Sequence, residues 1–452
     1  MSFITILLGL AGLGVVVFFH EFGHFAVARL TGVEVEEFSL GWGPRLLSRK
    51  IGLTTYSISM LPIGGYCRMK GEDSYRKAIE AGFDEFPREP GSYFGASPFK
   101  RILISLGGPF MNVVFAFFIY FTIMASGYEI SSYENRIILA SEWEGGSYPA
   151  DAVGLQSGDR IISIDGKKII AFSEIQEAIS VAALRPTMLG IERNGQELSL
   201  IVKPELDRNS GAGRVGIYPW VGLSVATINP DGPAALAGLR AGDRIISVNG
   251  KAVAHTVELY SVLSSEKTER TEIEYMRLGE RASATFVLSW AEGTTADLGI
   301  GWETISVVIK ASGFLEAIKM GLAETGKTIT ATYRGIASLF MGVDVLKAIS
   351  GPARITWMVG TVAKGGLSGD TEGGFSLALN FLGALSIGLF AMNLLPIPLL
   401  DGGSIVLFIV ELIRRKAAKV KTVLRYQTIG IVAVAALFLL STIGDVLFFS
   451  GK

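Results

Sequence analysis

Cysteine is almost missing from this chain. Cys67 is the only one, which excludes an internal disulfide and any metal site built on cysteine. Histidine is scarce as well: His20, His24 and His255 are all of it, so two of them four residues apart stand out. Charge of one sign is lacking too. The 41 Lys and Arg nearly balance 42 Asp and Glu, so nothing points to nucleic acid as a partner. The first apolar run has no basic residue before it and no evident small-residue cleavage site. It therefore reads as a retained transmembrane helix and not as a removable leader.

What the chain has in excess is hydrocarbon. Of 452 residues, 49% are apolar, and the mean hydropathy is +0.44, too high for an ordinary soluble globule. Four uncharged runs are long enough to span a bilayer, which takes about 20 residues. They are Phe3–Phe19, continuing as helix through His20–Leu30, then Ile102–Tyr128, Gly373–Leu400 and Tyr426–Gly444. The loop Arg29–Arg101 carries 11 Lys and Arg, and the short loop Asp401–Arg425 carries 6. The N-terminal tail has none, and the C-terminal tail only Lys452. Positive loops stay inside, so both basic loops are expected in the cytoplasm. Both termini and the long stretch between spans two and three are expected outside.

That outer stretch repeats itself. "AVGLQSGDRIISIDGKKI" from Ala152 answers "LAGLRAGDRIISVNGKAV" from Leu236. Gly154 matches Gly238, Asp159 matches Asp243, and Gly166 matches Gly250, each 84 residues apart. The period is too long for a solenoid unit and suits two tandem small domains. "RIISIDG" and "RIISVNG" read as a short strand entering an Asp-Gly or Asn-Gly turn, which implies small α+β modules. The pattern resembles the core of PDZ domains of the bacterial protease type, more fully in the second copy. PDZ domains take extended peptides by strand addition at a sheet edge; a spacer with an empty groove is the other reading, above all for the first copy.

Two further stretches are less explicit. "TTYSISMLPIGGYCRMKG", Thr54–Gly71, reads as two short strands around Leu61–Gly65, with Pro62, Gly64 and Gly65 as turn signals. It is too apolar for a solvated loop. It is either a hairpin dipping into the membrane domain against protein or a water-filled cavity, or an ordinary cytoplasmic hairpin. Ile305–Asp370 has helix-compatible pieces such as "GFLEAIKMGLAETGKTI", suited to lying on the membrane surface or bracing the outer modules.

The chemistry concentrates in His20-Glu21-Phe22-Gly23-His24, an H-E-x-x-H motif. On a helix, residues i and i+4 share a face, so both imidazoles reach one metal, and the glutamate serves as base. The bland reading is a pair of packing histidines with a polar glutamate between them. Buried without a metal, that triad would leave three costly groups unsatisfied in hydrocarbon. Catalytic zinc takes three protein ligands and keeps a position open. His255 lies in the second outer module. Asp401, in "NLLPIPLLDGG", sits at the cytoplasmic end of span three, at the depth the motif reaches in span one. Asp445 belongs near the outer face, at the wrong depth. Asp401 read alone is also a plain helix terminator before Gly402 and Gly403.

HEFGH with N-x-x-P-x-P-x-x-D-G resembles the site-2 protease family of intramembrane zinc metalloproteases, and the tandem PDZ insertion narrows this to its RseP-type bacterial members. "GGPFMN", Gly107–Asn112, resembles the G-P-x-x-N element of the family's second helix, and "GGYCRMKG" its membrane-reentrant β-hairpin. The resemblance implies Zn2+ held by His20, His24 and Asp401, with Glu21 as general base and later acid. It implies substrate held by Asn393 and by the hairpin at Gly64, Gly65 and Tyr66. It further implies single-pass membrane substrates of the anti-sigma factor type after a first-site cut, with remnant signal peptides also cut, and a place in stress-response sigma factor regulation. The location implied is the bacterial inner membrane, with termini and PDZ domains periplasmic and the active site toward the cytoplasm.

The expected fold is a multi-domain membrane protein: four transmembrane helices with a membrane-associated β-hairpin, plus two tandem α+β PDZ domains. The expected division is 1–127 for spans one and two, 128–220 and 221–304 for the PDZ domains, 305–372 for an amphipathic membrane-associated linker, and 373–452 for spans three and four. The competing functional reading is a membrane-anchored PDZ adaptor with a structural or inactive metal site, which has no need of Glu21. A metal transporter would want more intramembrane ionisable groups and more helices.

Overall fold

The computed structural model describes residues 2–71, 78, 80–288, 297–344, 346, 349–368 and 374–451. The chain forms two compact units, Met1–Tyr128 with Val308–Lys452, and Glu129–Val307.

The first unit is helical around one folded sheet. Helix α1 (Phe3–Thr31) starts at Ser2, whose hydroxyl accepts from the Thr5 N–H, and stops at Gly32 with φ 83°. Strands β1 (Val35–Ile51) and β2 (Thr54–Met69) follow. Helix α2 (Pro98–Ser126) is capped by Ser97 with proline in its first turn. Then come α3 (Phe314–Ser338), α4 (Pro352–Ser368), α5 (Gly374–Asn393), α6 (Asp401–Arg414) and α7 (Val420–Ser450). Four of these, α1, α2, α5 and α7, are long and apolar enough to cross a membrane, and they fall on the four apolar runs of the sequence.

Two expectations need correction. The third span ends at Asn393, not Leu400, and its expected first residue, Gly373, lies outside the described residues. Pro396 and Pro398 lack the N–H that a helix needs and push the residues before them out of the helical region. Leu399 takes a φ of 82°, and a separate helix begins at Asp401.

The hairpin is also larger than expected. Its turn lies at Gly52 and Leu53, not at Leu61–Gly65, and Val35–Ile51 supplies the other arm. Positive φ at Gly41, Gly43 and Gly64 bends both arms. Glu37–Leu40 therefore pairs on two sides, with Gly65–Arg68 and with Thr55–Ile58. Away from the helices it exposes Leu46, Leu47, Ile51 and Leu53 alongside Arg45, Arg49 and Lys50.

The stretch 305–372 is built as two helices packed on the spanning helices. Small residues allow the close approach. A Cβ on Gly9 of α1 would lie 2.0 Å from the Thr356 carbonyl of α4, and one on Gly321 of α3 would lie 3.0 Å from the Phe121 backbone of α2.

The second unit holds the repeat. Each copy has a four-stranded sheet. In the first the strand order is Lys167–Lys168, Arg160–Ile164, Thr187–Arg193, Gln196–Val202; in the second it is Lys251–Ala252, Arg244–Val248, Arg270–Arg277, Glu280–Val287. A helix packs on each, Phe172–Ser180 and Thr256–Glu266. The expected turns are present: Asp165-Gly166 and Asn249-Gly250 all have positive φ, as a tight hairpin of primed type requires. The repeated aspartate has a structural use. Asp159 takes two 2.7 Å hydrogen bonds from Arg193, and Asp243 takes bonds of 2.7 and 2.6 Å from Arg277. The same arginines donate to the Gly154 and Gly238 carbonyls, so one lock recurs 84 residues on.

Candidate active site and metal centre

Helix α1 carries His20 and His24 one turn apart on the face toward α2 and α6. The contact with α2 is close because glycine faces glycine: a Cβ on Gly23 would lie 2.1 Å from the Gly107 carbonyl. Gly108 lies beneath both rings. A methyl there would be 2.3 Å from His24 Nε2 and 2.8 Å from His20 Cε1. The space that Gly108 leaves is where the two ring nitrogens converge, 3.2 Å apart.

Asp401 is delivered by the break after α5. As first residue of α6 it opens a helix, and Gly402 and Gly403 let that helix turn tightly. A Cβ on Gly402 would lie 2.3 Å from the Leu394 carbonyl. Asp401 Oδ2 is 3.2 Å from His20 Nε2, and Oδ1 is 3.4 Å from His24 Nε2. The potential ligand atoms of all three residues lie within 4.8 Å of one another, the one such group of three among the described residues. Asp401 Oδ2 is buried yet accepts no hydrogen bond. A carboxylate whose two oxygens each face an imidazole nitrogen, one of them buried without a hydrogen bond, fits a cation, and the N2O donor set suits zinc.

The imidazoles are backed from behind. His24 Nδ1 lies 2.8 Å from the Ile104 carbonyl of α2. A carbonyl only accepts, so Nδ1 carries the proton and Nε2 is free to ligate. His20 Nδ1 lies 3.1 Å from the Asn112 amide, also on α2.

Glu21 points away from this pair toward β2. Its carboxylate accepts from the Cys67 backbone N–H, and a Cβ on Gly65 would lie 3.6 Å from its Cγ. Gly65 pairs with Leu40 and Tyr66 with Ser39, while the Tyr66 ring meets the edge of Trp42 at 5.8 Å. Gly64 packs under the same indole. Asn393, the last residue of α5, puts Nδ2 3.4 Å from His20 Nε2. A cavity of about 400 Å3 reaches the cluster, lined by His24, Cys67, Ile104, Asp401, Ser404 and Gln427.

The rejected ligands have other duties. Asp445 accepts from the backbone N–H groups of Gly351, Ala353 and Arg354, at 2.8, 3.0 and 3.2 Å, and so caps α4. His255 caps the helix Thr256–Glu266, its Nδ1 accepting from the Glu258 N–H at 3.3 Å. Sequence reasoning gave Asn112 no role at the site. Its signal, "GGPFMN", was visible only as a motif.

Comparison with known proteins is consistent along the whole chain. The model of the family described as peptidase family M50 matches residues 8–437. A protein of Treponema pallidum that carries the name zinc metalloprotease is 39% identical, over 98% of this chain and 99% of that one. A protein of Borreliella burgdorferi with the same name is 31% identical over 97% and 98%. Among solved structures, the PDZ domain of an SdrC-like protein from Listeria monocytogenes is 26% identical, covering 19% of this chain and 90% of its own, with a TM-score of 0.17.

Proposed function

The chain belongs to peptidase family M50 and is a zinc metalloprotease, and from that premise we propose that it cuts peptide bonds inside the membrane, with His20, His24 and Asp401 as zinc ligands and Glu21 as general base. The observation that carries this reading is the convergence of two imidazole nitrogens and an unbonded, buried carboxylate oxygen, with Glu21 one residue from His20. Zinc, when bound, polarises a carbonyl and lowers the pKa of water from 15.7 to about 7.

The chain's own residues supply the rest. Glu21 takes the proton of the attacking water and delivers it to the leaving nitrogen. Its anchor on the Cys67 N–H holds it beside the strand that receives substrate. A transmembrane helix hides its carbonyls in its own hydrogen bonds, so it must be unwound before it is cut. The edge of β2 at Gly64, Gly65 and Tyr66 holds the extended segment by strand addition. Asn393 binds the substrate backbone near the scissile bond.

The substrates are single-pass membrane proteins of the anti-sigma factor type, shortened by an earlier cut, together with remnant signal peptides. The enzyme works in regulated intramembrane proteolysis in the bacterial inner membrane. The charge of the two basic loops supports an active site toward the cytoplasm and PDZ domains outside, where they bind peptide or exclude substrates with bulky outer domains. The test is cleavage of a purified one-helix substrate in detergent, with the cut mapped by mass spectrometry. The expected cut falls within the apolar segment, stops on chelation and returns with zinc. A cut confined to the flanking loops would refute the intramembrane reading.

A further inference from the structure

A neutral imidazole that binds metal through Nε2 keeps its proton on Nδ1, and that N–H needs an acceptor. His24 has one in the Ile104 carbonyl. His20 meets Asn112, which is fully buried on α2. Nδ2 of that amide lies 3.1 Å from His20 Nδ1. An amide NH2 only donates, so two donors face each other. Meanwhile Oδ1 of the same amide is buried and bonded to nothing. The two ends of a carboxamide have nearly the same shape, and only the bonding pattern distinguishes them. A half-turn about Cβ–Cγ pairs Oδ1 with His20 Nδ1–H and leaves Nδ2, in its turn, as the end of the amide without a protein partner.

We propose that Asn112 is a positioning residue whose side-chain oxygen holds His20 as the Nδ1–H tautomer, with Nε2 turned toward the metal. The proposal rests on His20 being a zinc ligand. The support of Asn112 is itself fixed: its carbonyl accepts from Ser386 Oγ of α5 at 2.9 Å, and Ser386 is fully buried. The two histidines are thus backed differently, one by the main chain of α2 and one by a side chain. Only the second can be removed by substitution.

The test uses the full-length protein in detergent. Zinc affinity is read by competition with a chromophoric chelator, and ligand geometry from the visible spectrum of the cobalt-loaded form. Asn112→Leu keeps the volume and removes the acceptor. The expected result is about 10- to 100-fold weaker zinc binding with an altered cobalt spectrum. Asn112→Asp keeps an acceptor on the same stem and has no donor. It is expected to bind zinc at least as tightly as wild type, with the wild-type spectrum. If Asn112→Leu does not fold, Asn112→Ala gives the same contrast at smaller size. Wild-type affinity in the leucine or alanine variant overturns the role of Asn112. So does a loss in Asn112→Asp as large as in Asn112→Leu, which would make the amide a donor. A wild-type chain that binds no zinc removes the ligand assignment itself, and this inference with it.

Discussion

Gly108 has no side chain to offer a metal, yet it decides whether the ligands can meet. A methyl at that position would stand 2.3 Å from His24 Nε2. The expected outcome for Gly108→Ala is therefore at least a tenfold loss of zinc affinity with helix content unchanged, read by bound zinc per chain and circular dichroism. Gly65 makes the complementary case. A side chain there would meet the Ser39 carbonyl at 2.7 Å, so β2 must shift away from β1 and from Glu21. Gly65→Val is expected to keep its zinc and lose at least tenfold in kcat/KM. Loss of zinc in Gly65→Val would mean that the strand supports the metal site and not the substrate. His20, Glu21 and His24 were legible because helical periodicity puts i and i+4 on one face. Asp401, which the structure brings to the two histidines, was legible in the sequence only through the expected direction of the spans. The contact of Asn112 is not legible in the sequence, because its partner lies on another helix, 92 residues earlier.

The elements show where sequence pattern gives out. The repeat within Glu129–Val307 was readable in detail, since Asp-Gly and Asn-Gly turns and the 84-residue offset are local signals. The folded sheet was not. Its pairing of Glu37–Leu40 with two different segments follows from glycine bends and tertiary contact, and no alternation rule reports that. The packing of helices α3 and α4 on the spanning helices was not legible for a related reason. Their mixed polarity suggests a surface, but Gly9 and Gly321 give them a groove to enter. At this scale His255 makes a pH prediction. Burial holds its imidazole below the usual histidine range, and Nδ1 can cap the helix only while unprotonated. A histidine whose folded pKa is lowered stabilises fully above its unfolded value, about 6.5, and the contribution is lost as pH falls through the folded value. The unit Glu129–Val307 of the full-length protein is expected to melt a few degrees lower at pH 5 than at pH 7.5. Asn caps a helix without titrating, so His255→Asn should flatten that difference. An equal drop in His255→Asn would assign it to other groups.

Across the whole molecule, the helical unit is closed far from the metal by Asp445 of α7, which gathers three N–H groups at the start of α4. Asp445→Ala leaves three donors without their partner, that of Gly351 buried and those of Ala353 and Arg354 partly so; a buried one costs about 1–3 kcal/mol. The expected result is a melting temperature lower by several degrees, with zinc content unchanged at low temperature. Zinc loss without a change in melting would restore Asp445 as a ligand. The central claim is narrower than the fold: the carboxylate beside the metal ligands moves the proton in peptide hydrolysis. Glu21→Gln tests it most directly. Wild type and variant are purified, their zinc is measured, and both are given a substrate with a single transmembrane helix. Equal zinc is expected in the two, with a loss of cleavage of about 10²–10⁴-fold in the variant, the range of general acid–base catalysis. A variant that holds zinc and cuts at the wild-type rate would contradict it.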